Sequence, residues 1–394
     1  MAFRKLQATQ LFTGSEMRGN DAVLVIDETG VIKDLVSLAD AGDNVESYKG
    51  ILSPGFINCH CHLELSHMKG LIPEQTGLVD FVFHVITQRH FPDAEILEHI
   101  TRAEDEMLQN GIVAVGDICN NTLTIPQKQL QQLAYYNFIE VSGWLPALAE
   151  QRFQRSFGYY QEFKNLNACN PRSLSPHAPY SVSEELWHLL QPHFNNKTIT
   201  IHNQETAFED ELFEKGSGGF SRMYEMMQLD TAFFKPTGKT SLQSYYSQLS
   251  NARQVLLVHN TFTKEPDLLF AKSQAIANRQ TLFHCLCINA NRYIENSVPP
   301  VQLLRGYDCT IVLGTDSLAS NHSLSILAEL QSITKYFPQV PLNELLRWAT
   351  LNGAKALQME DELGSFAKGK RPGVVLLEGS DGKIDEATTV RRIL

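Results

Sequence analysis

No apolar run in this chain approaches the ~20 residues that a membrane-spanning helix needs, so no membrane partner is expected. Positive charge is also short: 33 Lys and Arg stand against 44 Asp and Glu, a net of -11. Phosphate backbones want a basic face, so nucleic acid is not an expected partner either. The start, Met1-Ala2-Phe3-Arg4-Lys5, is basic but no apolar segment follows. It does not read as an export signal, and the expected location is cytoplasmic. Cysteine is sparse and odd in number, at 59, 61, 119, 169, 285, 287 and 309, which favours free thiols over disulfides. Cys285 and Cys287 form a C-x-C, but structural zinc wants four ligands and no second such pair completes a set. Internal repeats and low-complexity tracts are absent.

What is present is ample apolar material, 43% of 394 residues, enough for more than one average domain. Ala22–Ile26, a turn at Asp27–Gly30 and Val31–Val36 read as a hairpin; Gly373–Glu378 reads as a strand near the other end. The two ends are expected to join as a small β-sandwich domain, residues 1–54 with 356–394. Between them strand-like runs alternate with helical stretches such as Ala94–Asn110 and Ser183–His193. The eight runs are Gly55–Asn58, Ile112–Asp117, Tyr136–Glu140, Arg172–Ser175, Thr198–Ile201, Val255–Val258, Gln280–Phe283 and Thr310–Leu313. Eight βα units fit a (β/α)₈ TIM barrel over residues 55–355, a fold that typically takes ~250 residues. The alternative, a doubly wound sheet, wants a Gly-rich turn after its first strand, where this chain has His60-Cys61-His62.

Polar residues gather at the strand ends: His60 and His62, His177, His202 with Glu205 three on, His259, His284 and Asp316. In a barrel these ends share one face, where such enzymes keep their sites. His60 and His62, two apart on a strand, point the same way, and Cys59 and Cys61 are expected to face away. With His202 and Asp316 they offer three nitrogens and a carboxylate to one divalent ion, zinc or ferrous iron, with a place left for water. A bound ion lowers water's pKa from 15.7 to about 7. Glu205, His259 and Asp316 are then the acid–base groups in reach. A strand-end histidine is by itself usually a hydrogen-bonded structural residue, a reading set against a substrate-binding role for His284. The same plain reading covers His67, His84, His90, His99, His188 and His193.

These residues resemble the amidohydrolase superfamily, in its mononuclear deaminase and chlorohydrolase branch. Ser53-Pro54-Gly55-Phe56-Ile57-Asn58-Cys59-His60-Cys61-His62-Leu63-Glu64 is similar to the family's opening motif. Ser175-Pro176-His177-Ala178-Pro179-Tyr180-Ser181, His202-Asn203-Gln204-Glu205 and Leu313-Gly314-Thr315-Asp316-Ser317-Leu318-Ala319-Ser320-Asn321 match later ones. The stretch Arg172–Ser181 has no lysine, which in this resemblance implies a single metal. The resemblance further implies that Glu205 protonates a ring nitrogen while hydroxide attacks the amino-bearing carbon. Asp316 would take the water proton and help pass it to the departing ammonia, and His177 and Ser320 would orient the substrate. The pattern around Leu63-Glu64-Leu65-Ser66 and Val85-Ile86-Thr87-Gln88-Arg89 resembles the aminodeoxyfutalosine, S-adenosylhomocysteine and adenosine deaminases. It places Glu64 and Arg89 in the loop that sets specificity, Arg89 facing an anionic arm of the substrate. Two departures stand out: His284-Cys285-Leu286-Cys287-Ile288-Asn289 lacks the family's proline and serine, and Pro372-Gly373-Val374-Val375 lacks an aspartate.

Deamination of an aminopurine-type nucleoside is therefore the expected activity on a small-molecule substrate. Hydrolysis of an amide, cyclic amide or halogenated heterocycle by the same hydroxide is the alternative, and a non-catalytic barrel the third. Nothing in the chain conflicts with a homodimer.

Overall fold

Runs rich in Val, Ile and Leu at both chain ends become strands that pair across almost the whole length of the sequence. The computed structural model describes residues 3–166, 171–379 and 382–394; Cys169 lies outside them. The strands β1 (Phe3–Phe12), β2 (Met17–Arg18), β3 (Ala22–Asp27), β4 (Ile32–Ser37) and β5 (Val45–Pro54) come from the first end. Hydrogen bonding joins them to β14 (Val374–Glu378) and β15 (Thr389–Arg392) in one seven-stranded sheet. Its order is β15-β14-β5-β1-β3-β4, with β2 on β1. The β3–β4 turn is set by Asp27, whose Oδ1 accepts the backbone N–H groups of Thr29 and Val31 at 2.9 and 3.0 Å.

The middle of the chain supplies eight parallel strands: β6 (Phe56–Cys61), β7 (Ile112–Cys119), β8 (Ala134–Val141), β9 (Arg172–Pro176), β10 (Thr198–Asn203), β11 (Gln254–His259), β12 (Thr281–Leu286) and β13 (Thr310–Leu313). They form two four-stranded sheets, β6-β7-β8-β9 and β10-β11-β12-β13. At one edge the His202 N–H donates to the His177 carbonyl at 2.9 Å. At the other the N–H groups of Thr315 and Asp316 both donate to the His60 carbonyl at 3.0 Å, beside a parallel bridge from Cys61 to Asp316.

Both faces of these sheets are buried, which is why the strands read as near-continuous apolar runs. Ala114, Tyr136, Leu256, Phe283 and Val312 fill the inner face. Leu174, Ile199 and Leu257 on the outer face meet the surrounding helices, as do Val115 and Ile311 in a neighbouring cluster. The helix Asp93–Gln109 shows how: Ile96, Ile100, Ala103 and Met107 form its buried stripe, and Asp93 and Glu95 complement the positive end of its dipole. Among the described residues no helix is long and apolar enough to cross a membrane.

One local irregularity corrects an expectation. Cys61 packs outward, but Cys59 joins the inner cluster beside Ile57. The pairing of β6 with β7 slips between Asn58 and Cys61, where β6 spends one more residue than its neighbour. Such a bulge re-aims side chains, and here it turns His60 toward the site. Gly116 makes the bulge fit, since a Cβ there would lie 2.4 Å from the Cys59 carbonyl oxygen. We expect Gly116→Ala to cost about 1–3 kcal/mol by overpacking. Gly158→Ala, where a Cβ meets nothing within 4 Å inside the helix Ala149–Glu162, should instead stabilise by up to about 1 kcal/mol. Denaturant midpoints of the two variants check the contrast.

Candidate active site

The ends of the parallel strands bring four buried acceptors together. His60 and His62 lie on and just beyond β6, His202 on β10, and Asp316 just beyond β13. The Nε2 atoms of His60 and His62 stand 3.5 and 3.4 Å from Asp316 Oδ1, and the Nε2 atoms of His62 and His202 are 3.4 Å apart. Burial lowers the pKa of all three imidazoles, His62 to about 3, so they are neutral. The ring nitrogens of His60 find no hydrogen-bond partner at all.

Ligands about 2.0–2.2 Å from a tetrahedral zinc are separated by about 3.3–3.6 Å, and the observed spacings fall in that range. The orphaned nitrogens and the spacing both fit a divalent ion. Neighbouring groups fix the ligand orientations, as metal-site histidines require. His202 Nδ1–H donates to the His177 carbonyl at 2.8 Å, leaving Nε2 free, and the Ser320 hydroxyl donates to Asp316 Oδ2 at 2.6 Å.

Glu205 and His259, the candidate acid–base groups, are held as firmly. His259 Nδ1–H donates to Asn291 Oδ1 at 2.7 Å, so its unpartnered Nε2 faces Glu205 Oε1 at 3.6 Å. Burial pushes the Glu205 pKa well up, with Asp316 and Glu295 adding to it, which favours the protonated carboxyl. The turn from His202 to Glu205 depends on Gln204, which sits at φ 46°. Its N–H donates to Glu209 Oε1 at 3.0 Å, its amide N–H donates to Asp267 Oδ2 at 3.0 Å, and its amide oxygen accepts from Thr263 at 2.7 Å.

Of these groups, His62, His202, Glu205 and Asp316 line a cavity of about 400 Å³, a size suited to a small molecule. Phe81, Trp144, Tyr180 and Tyr224 make its apolar walls. Trp144 and Tyr224 stack with their planes 7° apart, and the buried Trp144 indole N–H has no partner. His177 lines the cavity; its Nδ1 lies 2.8 Å from Ser181 Oγ, whose own proton goes to the Ala178 carbonyl at 3.0 Å. His177 therefore presents Nε2 as an acceptor.

Arg89, Arg152 and Arg155 stand around the same space. None of the ion pairs that arginines make among the described residues includes them. Burial and the charge of Arg155 both lower the pKa of Arg152, a sign of uncompensated like charges.

Three residues named from the sequence sit elsewhere. His284 is corrected: β12 does not stop at Phe283 but runs on to Leu286, so His284 is a mid-strand residue. Its neighbours Phe283 and Cys285 face inward, and it points outward toward the charge of Lys272. Ser320 acts through Asp316 and does not line the cavity. Glu64 lies behind Asn120, whose backbone N–H donates to its Oε2 at 2.9 Å.

Sequence reasoning missed Glu140, Trp144, Arg152 and Arg155. Glu140 could have been found, because it is a charged residue ending the run Tyr136–Glu140. It lines the cavity, and burial raises its pKa to about 7. The six described cysteines are free.

Residues 51–391 match the sequence profile described as Amidohydrolase family. The chain is 26% identical over 374 residues to the adenosine deaminase of Helicobacter pylori, covering 89% of this chain and 87% of that one. It is 24% identical over 348 residues to the 5-methylthioadenosine/S-adenosylhomocysteine deaminase of Teredinibacter turnerae, covering 84% and 72%. Its fold is similar to the crystal structure of Helicobacter pylori aminofutalosine deaminase in complex with methylthio-coformycin. That match has a TM-score of 0.80 at 22% identity, over 99% of this chain and 100% of that one.

Purified, metal-replete protein should hold one divalent ion per chain through His60, His62, His202 and Asp316. At a free-ion concentration of 100 times Kd, binding should stabilise the fold by about 2.7 kcal/mol. Elemental analysis finding two ions at full occupancy, or none after supplementation, contradicts this, as does a melting temperature indifferent to chelation.

Proposed function

The chain belongs to the amidohydrolase family, and from that premise we propose that it is a hydrolytic deaminase of an aminopurine nucleoside bearing an anionic arm. Its two parallel sheets are read as the halves of a (β/α)₈ barrel, residues 55–355, supported by the hydrogen bonds at both edges. Residues 1–54 and 356–394 are read as the small β domain.

The observation that carries the activity is Glu205, a buried carboxyl set in the same cavity as His62, His202 and Asp316 and 3.6 Å from His259 Nε2, where burial favours its protonated form. A divalent ion held by His60, His62, His202 and Asp316, zinc by its donor set with ferrous iron the alternative, would supply hydroxide at neutral pH. Glu205 delivers its proton to the ring nitrogen next to the amino-bearing carbon, so negative charge does not build up on the ring as that carbon becomes tetrahedral. His259 exchanges a proton only at Nε2, because Asn291 holds the other nitrogen. Asp316, steadied by Ser320, receives the water proton and returns it to the departing ammonia. Simple amide or halide hydrolysis has less use for a proton donor at the position of Glu205.

The same cavity is lined by the acceptors Glu140 and His177, by three guanidiniums and by an aromatic wall. That lining suits a purine ring beside Glu205, donors such as sugar hydroxyls at Glu140 and His177, and a carboxylate on an apolar arm at the arginines. Nucleosides with arms of the homocysteine or benzoate kind fit it better than adenosine, which has no anion.

An ammonia-release screen over purines, nucleosides and 5′-substituted derivatives tests the reading. Glu205→Gln should keep its metal and lose about 10²–10⁴-fold in kcat, the usual worth of acid–base help. Near-normal turnover in that variant moves the assignment to amide hydrolysis. Arg89→Met should lower kcat/KM about 10- to 100-fold on the anionic substrate, as for one charge-assisted contact, and spare neutral nucleosides. Equal handling of both substrates removes Arg89 from the anion site.

A further inference from the structure

Lysine is among the residues least often fully buried, yet Lys128 is 0% exposed. It ends the short helix Ile125–Lys128 and inserts its ammonium against the outer face of β7 and β8. Its Nζ lies 2.5 Å from Asp117 Oδ2, 2.8 Å from Asn137 Oδ1 and 3.3 Å from Cys119 Sγ. The faces of Tyr135 and Phe163 close over it at 4.9 and 5.0 Å. Asp117 is equally buried, and its second oxygen is not spent on the lysine. Oδ1 accepts the backbone N–H of Leu63 at 2.9 Å.

Leu63 directly follows His62. Asp117 is also the partner of Cys61 where the β6 bulge ends. Three residues further on, the Asn120 N–H donates to Glu64. The end of β7 thus holds the chain just past the two histidines of β6 at two successive residues.

Stability alone does not call for this pair, since a buried ion pair can often be replaced by apolar side chains of similar volume at no loss. What apolar side chains cannot do is accept the Leu63 N–H. A carboxylate accepts it more strongly than a neutral group would, and Lys128 is its countercharge, equally buried. We propose that Asp117 and Lys128 are a positioning pair for the metal centre: they fix the peptide after His62, and through it the direction from which His60 and His62 present their lone pairs. The proposal rests on His60 and His62 being metal ligands and is independent of the substrate.

The test uses the full-length protein. Asp117→Leu with Lys128→Met removes both charges and the acceptor together. This variant is expected to bind zinc about 10- to 100-fold more weakly, the range for groups that orient metal ligands, and to change the visible spectrum of the Co²⁺-substituted protein. Asp117→Asn with Lys128→Met keeps an acceptor for Leu63 and should recover most of the affinity and the spectrum. A merely structural role would lower the melting temperature and leave both readouts of the folded protein unchanged, and that result overturns the proposal.

If the Leu/Met variant does not fold, Asp117→Glu decides. It keeps the ion pair but moves the carboxylate by one methylene, and wild-type zinc affinity and spectrum in it overturn the proposal. Neither readout involves substrate, so a wild-type chain that binds one metal but releases no ammonia defeats the deaminase reading and leaves this inference standing.

Discussion

Four ligand atoms crowded within 3.4–3.5 Å of their neighbours are the arrangement around which the rest of the protein is organised. Turned together, the lone pairs of neutral imidazoles and a carboxylate repel one another, and a cation turns that repulsion into attraction. Nothing local assembles them: they come from β6, β10 and the segment after β13, up to 256 residues apart (Asp316 less His60). The buried sheets must therefore carry the cost of convergence. Because the cluster exists only in the folded chain, the affinity for the ion is itself part of the folding free energy.

The backbone shows where that cost is met. Gln204, His259, Asn260 and Asp316 all adopt positive φ, between 46° and 71°, though none is glycine. Such conformations persist only where the surroundings over-determine them, and they gather at functional sites. Each has a visible restraint: His259 Nδ1–H donates to Asn291 Oδ1 at 2.7 Å, and the others are held as firmly. Gln204 is tied through Glu209, Asp267 and Thr263; the Asn260 amide donates to the Leu257 carbonyl at 2.8 Å; and the Asp316 N–H donates to the His60 carbonyl. The bulge opposite Gly116 belongs to the same set. It lets His60 and His62 both turn to the site although Cys59 is also inward.

The eight central strands were legible because parallel strands buried on both faces leave uninterrupted apolar runs, and the H-x-H pair because two-residue spacing on a strand gives one direction. His284 was misplaced for the reason strand ends are hard to read: an apolar run does not say where pairing stops, and β12 continues to Leu286. Cys59 was misplaced because strict alternation cannot anticipate a bulge. Arg152 and Arg155 carry no motif; they reach the cavity from one face of the helix Ala149–Glu162, three residues apart, a pattern an ordinary solvated helix shares. Trp144 lies beyond the run Tyr136–Glu140 and carries no motif. Lys128 carries none either, since its partners Asp117 and Asn137 are known only once β7 and β8 pair.

The net charge of -11 sets a further constraint on any anionic substrate. At physiological ionic strength repulsion fades over about 8 Å, so the overall charge slows approach only modestly. Inside the cavity the terms reverse. Apolar walls lower the local dielectric, and there Arg89, Arg152 and Arg155 stand outside every arginine ion pair among the described residues. An anion is therefore not drawn in from a distance but held once inside, so selectivity should appear mainly in how slowly the right substrate leaves. That division of labour also protects the chemistry. The charges that act on Glu205 are those of Asp316 and Glu295, both anionic, whereas a guanidinium beside it would stabilise its charged form and draw its proton off.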